Sequence, residues 1–173
     1  MNKTTDINFR WADVNDDIDK IVRFFIDNAP IEYISHGEIQ DGRALPIGVW
    51  SNNLETILSK QFVSAIKREK DTKFPETRLF FAHSDNDTLV GFSYIGIDRK
   101  SQNPYAVIYD ILVSKSLRNR GAGNSMISWI SEEMRRENIK FLFLESGIQN
   151  TQAHQFFKRR GFHPVSINMM KAL

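Results

Sequence analysis

The sequence contains no cysteine, which excludes disulfides, thiolate nucleophiles and metal sites built on cysteine. No run approaches the ~18 consecutive apolar residues of a membrane span, and the first residues lack the apolar core of a signal peptide. A net charge of only +2, with basic clusters interleaved by acidic residues, argues against nucleic-acid binding. These absences predict a cytoplasmic protein that binds neither membrane nor nucleic acid.

What is present is the composition of an ordinary globular protein. With 173 residues, of which 41% are hydrophobic, the chain is long enough to bury a sizeable core, and it shows no linker or low-complexity tract. We therefore expect one domain over residues 1–173. The 4 histidines have no metal-ligand spacing, so no metal site is expected.

Hydrophobic periodicity predicts alternating groups of strands and helices. The predicted elements are a strand at 7–11, helices at 16–28 and 54–66, two strands within 78–97, a strand at 105–113, a helix at about 121–138, a strand at 139–145, a helix at 151–160 and a final strand within 162–173. The connection over residues 30–50 reads as irregular, and connections of that length are usually binding segments or mobile.

The helix between the strands at 107–113 and 141–144 forms a β–α–β crossover, which implies a parallel pair. The fold class is therefore α/β (α+β): a mixed, mostly antiparallel central sheet with helices on both faces. The strand at 141–144 is apolar at every position, which predicts that it is covered on both faces. Ligands bind at the carboxyl ends of such strands, where Val113 and Glu145 lie.

The stretch SLRNRGAGNSM, residues 116–126, separates the strand at 105–113 from the next helix. Gly121 and Gly123 allow a tight turn with close backbone approach to a ligand. The first N–H groups of the helix are unpaired and carry the positive end of its dipole, so the turn predicts an anion site, most commonly for phosphate. The alternative is an ordinary loop with solvated arginines. The Walker and dinucleotide-binding glycine patterns are absent.

Two spacings coincide in this chain, R-x-x-G-x-G and a downstream N-x-x-A-x-x-F-F-x-x-x-G-F. Their residues are Arg118, Gly121, Gly123, Asn150, Ala153, Phe156, Phe157, Gly161 and Phe162. This combination resembles the GCN5-related N-acetyltransferase (GNAT) family. The resemblance implies the GNAT fold, acetyl-CoA as acyl-donor cosubstrate, and transfer of the acetyl group to a primary amine by direct attack in a ternary complex. It leaves a homodimer open, because dimers are common in the family.

The resemblance also implies which residues bind acetyl-CoA. The backbone of Leu112 and Val113 would contact the pantetheine and the acetyl carbonyl, because this strand carries a bulge in the family. Asn150 would bond to the pantetheine arm, although asparagine is equally a helix N-cap. Phe157 would lie in the same segment. The pyrophosphate would be bound by Arg118, Asn119, Arg120, Gly121, Ala122, Gly123 and Asn124.

Glu145 is the first candidate for the base that deprotonates the amine. It ends an apolar strand, where partial burial would raise the pKa of a carboxylate, and it matches the glutamate of family members that act on protein N-termini. A solvated strand-end carboxylate is the alternative reading. Asp110, a polar residue within AVIYDILV, is the second candidate, unless it is simply hydrogen-bonded in the sheet.

Phe157 stands where many family members have the tyrosine that protonates the departing thiolate. A thiolate is a tolerable leaving group, since free thiols have a pKa of about 8.5, and Tyr105, Tyr109 or water could replace the acid. The departure also keeps a second reading open, that of a catalytically degenerate acyl-CoA-binding or sensor protein.

In the family, the region between the first two helices usually forms one wall of the acceptor site. Here it carries Glu32, Tyr33, His36 and Glu38. Carboxylates with an aromatic ring suit a small cationic amine or a peptide N-terminus. The alternative is a polar loop without a role in binding.

Overall fold

The computed structural model describes residues 7–69 and 73–173. Its elements in chain order are β1 (Ile7–Trp11), α1 (Ile18–Asn28), α2 (His36–Gln40), β2 (Ala44–Leu45), β3 (Val49–Trp50), α3 (Leu54–Ile66), β4 (Glu76–Ser84), β5 (Leu89–Asp98), β6 (Tyr105–Val113), α4 (Ala122–Arg136), β7 (Phe141–Leu144) and α5 (Thr151–Lys158). The main sheet has the order β1-β4-β5-β6-β7; β6 and β7 are parallel and the other three pairings are antiparallel. The predicted fold class is confirmed.

Helices cover both faces of the sheet because each strand alternates its side chains between two cores. On one face, Phe25 of α1 and Phe62 of α3 both contact the ring of Phe92 on β5. On the other face, Phe80 of β4 stacks on Trp129 of α4 with 4.5 Å between ring centroids. Within the described ranges, no helix has the length and apolar character needed to cross a bilayer.

The sheet opens into a cleft at the carboxyl ends of β6 and β7. The two strands pair only as far as Ile108 and Leu144, whereas β6 continues beside β5 to Val113. The β5–β6 register shifts opposite Tyr109, which is the extra residue of a β-bulge. The final residues of β6 therefore face the segment that follows β7 without pairing to it.

Two predictions for the end of the chain are wrong. Residues 162–173 form no strand, and β7 is an edge strand on which Phe141 is 51% and Phe143 39% exposed. The apolar alternation in the last segment is real, but Pro164 removes a backbone donor and the segment pairs with no strand in the described parts of the chain. Without it or a helix over this corner, one face of β7 is left in solvent.

The connection over residues 30–50 contains more regular structure than predicted. A single 3₁₀ turn (Ile31–Tyr33) leads into α2, and the short hairpin of β2 and β3 follows. The start of α2 is a capping box, in which the Ser35 side chain accepts a hydrogen bond from the helix and Glu38 accepts one from the Ser35 N–H. Local polar chemistry, rather than an apolar stripe, therefore specifies this helix.

A buried ion pair fastens this connection to the sheet. Nη1 of Arg43 lies 2.9 Å and 3.0 Å from the two carboxylate oxygens of Asp110 on β6, and Nε donates to Gln61 of α3 at 2.8 Å. Arg43 is 2% and Asp110 0% exposed. Burial opposes the charged guanidinium, but the charges of Asp110 and Glu38 outweigh it and raise the pKa of Arg43, which keeps it positively charged.

Replacing Arg43 by methionine should lower the free energy of unfolding by about 3–5 kcal/mol, because the Asp110 charge is then buried without its partner. Urea unfolding at neutral pH measures this change. The double variant Arg43→Met/Asp110→Asn removes the charge but keeps an oxygen acceptor at position 110, so it should be more stable than Arg43→Met alone. Equal stabilities would contradict an electrostatic cause.

Candidate functional site

The bulge decides which backbone groups of β6 face the cleft. The N–H of Ser114 donates to the carbonyl of Val90 across the β5–β6 ladder at 2.8 Å. Because backbone groups alternate sides along a strand, those of Leu112 also point toward β5, whereas those of Ile111 and Val113 point toward the cleft. Of the two β6 residues predicted to contact the acyl donor, Val113 presents its backbone to the cleft and Leu112 does not.

The other amide on this edge is already occupied. The N–H of Ile111 donates to the hydroxyl oxygen of Tyr33 at 3.2 Å, and the same hydroxyl donates to Asp110 at 3.0 Å. Burial, and then the negative charges of Asp110 and Glu38, raise the pKa of Tyr33 well above its ordinary value of 10.0, so the phenol keeps its proton. Tyr33 therefore caps one cleft amide, and the N–H of Val113 is the next one along the edge.

The glycine turn has the conformation that the sequence predicts. Asn119 and Gly121 have positive φ angles of 61° and 89°, and α4 begins at the following residue. The guanidinium of Arg118 donates to the carbonyl oxygens of Val113 and Asn28, so this side chain ties the turn to the ends of β6 and α1. The side chain of Arg118 is therefore used within the protein, and the main-chain N–H groups at the start of α4 are the groups of this turn that could hold an anion.

Two buried polar atoms near the cleft lack a hydrogen-bond partner among the residues that the structure describes. They are Oδ1 of Asn124, in the first turn of α4, and Oγ of Ser146, in the segment after β7. Such atoms are costly unless a ligand or water satisfies them. The oxygen of Asn124 needs a donor and the hydroxyl of Ser146 can donate or accept, so together with the left-handed turn they fit a ligand that carries amide or hydroxyl groups as well as phosphate. Sequence reasoning missed Ser146, whose only signal is its position directly after Glu145.

The side chain of Glu145 lies at the mouth of the cleft, 45% exposed, with Oε2 3.0 Å from Nδ1 of His36. Gly147 explains why the two segments meet. Its backbone packs directly on the carbonyl oxygens of Glu32 and Ile34, where a Cβ would overlap both. Only glycine fits, and this contact brings the end of β7 against the residues that precede α2.

The four predicted acceptor residues separate into two groups. Glu32 is exposed and His36 is partly exposed beside Glu145, so both reach the surface of the site. Tyr33 and Glu38 point inward instead. Oε2 of Glu38 accepts hydrogen bonds from the N–H and hydroxyl of Ser35, both at 2.7 Å. Burial, then the charge of Asp110, raises the pKa of Glu38.

Asp110, the second candidate base, is enclosed in the same buried cluster. Oδ1 accepts hydrogen bonds from Arg43 and Tyr33, and Oδ2 accepts one from Arg43. Neither oxygen faces the cleft, and the residue is 0% exposed. The structure therefore brings Glu145 and His36 together at the cleft and places Asp110 beneath it.

On α5, Asn150 and Phe157 have structural contacts. The side chain of Asn150 accepts a hydrogen bond from the N–H of Ala153 at 3.3 Å, which makes it the N-cap of the helix. The ring of Phe157 is 8% exposed and packs edge-on against Phe156 and Phe162. Asn150 is thus a helix N-cap, which is the alternative role given for it above.

Known proteins share this architecture. The sequence is 24% identical over 127 residues to an uncharacterized N-acetyltransferase, YycN of Bacillus subtilis, covering 73% of this chain and 80% of YycN. A tetramutant of the BH1408 protein of Bacillus halodurans has a TM-score of 0.72 at 16% identity, covering 96% of this chain and 99% of that one. The aminoglycoside N-acetyltransferase AAC(6′)-Iy, in complex with CoA, has a TM-score of 0.62 at 13% identity, covering 100% and 98%.

The family assignment rests on a match to the sequence model described as the acetyltransferase (GNAT) family. The match spans residues 51–162, well over half of the chain, and runs from just before α3 to just after α5. It includes the bulged strand, the glycine turn and the Asn150 segment, so it covers the cleft described above. By this match, and in agreement with the fold, the chain belongs to the GNAT acetyltransferase family, whose acyl donor is acetyl-CoA.

Proposed function

We propose that this protein is an acetyl-CoA-dependent N-acetyltransferase that acts on a primary amine. The observation that carries the proposal is the cleft between β6 and β7. The backbone of Val113 faces it from one strand, the carboxylate of Glu145 stands at its mouth, and the left-handed turn at Gly121 leads into the helix start beside it.

Acetyl-CoA would be held mostly by backbone groups of this chain. The diphosphate is assigned to the glycine turn and the first turn of α4, where unpaired N–H groups and the helix dipole favour an anion. The orphaned hydroxyl of Ser146 and the N–H of Val113 are assigned to the pantetheine arm and thioester. When bound, acetyl-CoA supplies a thioester carbonyl that an amine attacks with release of the CoA thiol. The assigned turn residues are Arg118, Asn119, Arg120, Gly121, Ala122, Gly123 and Asn124.

Glu145 is the proposed proton acceptor, because an ammonium group cannot attack until it loses a proton. Its partly exposed carboxylate can receive that proton directly or through water. Asp110 has no such access and is assigned a positioning role, since it holds Arg43 and Tyr33 beneath the cleft. The N–H of Val113 faces the cleft and would donate to the thioester carbonyl oxygen, where a fixed donor lowers the barrier as charge develops.

The acceptor is proposed to be a small cationic amine or a peptide N-terminus. Glu32 and Glu145 are exposed carboxylates of this region, and together they favour a positively charged ligand. Glu38 does not contribute, because it is buried near Arg43.

Phe157 supports one alternative, an acyl-CoA-binding protein without turnover. A buried phenylalanine cannot protonate the departing thiolate. In the enzyme proposal this proton comes from water, which a leaving group with a pKa of about 8.5 tolerates. The alternative predicts binding of acetyl-CoA but no amine-dependent release of thiol.

Changing Gly121 to alanine should weaken the binding of acetyl-CoA about tenfold, or about 1.4 kcal/mol, because a methyl group enters the anion site and strains a left-handed residue. Isothermal titration calorimetry measures the dissociation constant of acetyl-CoA in both variants and in the native chain. Gly48→Ala is the matched control: Gly48 also has a positive φ, of 80°, and open space around its Cβ position, but it lies in the β2–β3 hairpin. Equal weakening in both variants, or no binding by the native chain, would contradict the assignment.

Changing Glu145 to glutamine should reduce amine-dependent thiol release about 100-fold or more, because the isosteric amide cannot accept the proton. A panel of polyamines, aminoglycosides, amino acids and short peptides provides the acceptor, and calorimetry should show unchanged affinity for acetyl-CoA. Binding without turnover across the whole panel would favour the sensor alternative. Undiminished turnover in Glu145→Gln would exclude Glu145 as the base.

A further inference from the structure

Three separate segments converge on the imidazole of His36. His36 is the first residue of α2, Glu145 follows β7, and Asn168 belongs to the C-terminal segment. Nδ1 of His36 lies 3.0 Å from Oε2 of Glu145. The side-chain nitrogen of Asn168 lies 3.0 Å from Nδ1 and 3.3 Å from Nε2 of the same ring.

The Asn168 distances show on which side of the ring its amide stands. An atom in the ring plane at nearly equal distances from both nitrogens would overlap the carbon between them. The amide therefore lies over the face of the imidazole, where it packs on the ring and bonds in line with neither nitrogen. Oε2 of Glu145, at 3.0 Å, is the carboxylate oxygen beside Nδ1.

The carboxylate of Glu145 also lies against the backbone at the start of α2. A Cβ at position 37 would lie 3.2 Å from Oε2 of Glu145, so the carboxylate rests on the first turn of α2. Gly147 packs on the backbone of residues 32 and 34 and fixes the strand end relative to the same turn. An exposed carboxylate would otherwise sample several rotamers, and a catalytic group loses efficiency when its orientation is not held.

We propose that His36 is a positioning residue for Glu145. It donates Nδ1–H to Oε2, keeps that proton throughout, and leaves Oε1 to take the proton that the acceptor ammonium gives up. Asn168 supports the ring from its face. The inference rests on the proposed function of Glu145, and it replaces the sequence-based expectation that His36 contacts the acceptor.

The tautomer of His36 is the first test, and it needs neither acetyl-CoA nor turnover. In ¹⁵N spectra recorded at a pH where imidazole is neutral, His36 should carry its proton on Nδ1, because a hydrogen-bond acceptor at that nitrogen selects the tautomer. In Glu145→Ala the proton should move to Nε2. His83, on β4, should not change. An Nε2–H tautomer in the native chain, or no change in Glu145→Ala, would overturn the proposal.

Amide replacements provide the kinetic test. Asparagine places a side-chain N–H close to the position of Nδ1, whereas glutamine places one close to Nε2. His36→Asn should retain kcat within about twofold, while His36→Gln and His36→Ala should lose about tenfold, with KM for acetyl-CoA and amine unchanged. A raised KM for the amine with intact kcat would indicate acceptor binding instead, and equal loss in all three variants would also overturn the inference. His83→Asn is the control with native kinetics.

A double-mutant cycle isolates the coupling. If His36 acts only through Glu145, adding His36→Gln to Glu145→Gln should cause no further loss of kcat. Additive losses would show an independent role for His36. Failure of the native chain to bind acetyl-CoA would refute the proposed function. The tautomer measurement would still test the contact between His36 and Glu145, because it does not depend on acetyl-CoA.

Discussion

One buried ion pair joins the two halves of the candidate site. Arg43 belongs to the connection between α1 and α3, which carries Glu32 and His36, and Asp110 belongs to β6, which carries the amides of Ile111 and Val113. Each charge is tolerable in the interior only because the other is present, so the connection cannot swing away without exposing or stranding a carboxylate. Tyr33 donates a third hydrogen bond to the same carboxylate. His36, three residues further along, is therefore held relative to β6 as well as to β7.

The bulge at Tyr109 determines which backbone groups of β6 face the cleft. One extra residue reverses the side to which the following backbone groups point, so Ile111 and Val113, rather than Leu112, face the cleft. Tyr33 then occupies the amide of Ile111. A single inserted residue and a single phenol thus determine which N–H of the strand is presented to a ligand. The same phenol links the N–H of Ile111 to the buried carboxylate of Asp110.

Features set by residues close together in the sequence were predictable here, whereas features set by residues distant in the sequence were not. Gly121 was predictable because turn geometry is local, and the parallel strand pair followed from the helix that connects the two strands. The burial of Glu38 was not predictable, because no sequence pattern indicates that its cationic neighbour Arg43 is buried as well. Asp110 was conspicuous in an apolar strand, but its partner lies 67 residues away. The last segment alternates like a strand, but alternation alone does not show whether a segment pairs with another strand, and Pro164 removes one of its backbone donors.

The same contrast explains why Glu145 and Asp110 are suited to different tasks. Both oxygens of Asp110 are hydrogen-bonded inside the protein to Arg43 or Tyr33, so no lone pair is directed at an incoming amine. Glu145 meets solvent, and its described partner is an imidazole that contacts one oxygen. A guanidinium would hold the carboxylate firmly but compete with the ammonium for its charge. A neutral N–H donor can orient the carboxylate without neutralising it. In this fold, a buried charge pair therefore builds the site, and a contact with a single imidazole is left for Glu145, the proposed proton acceptor.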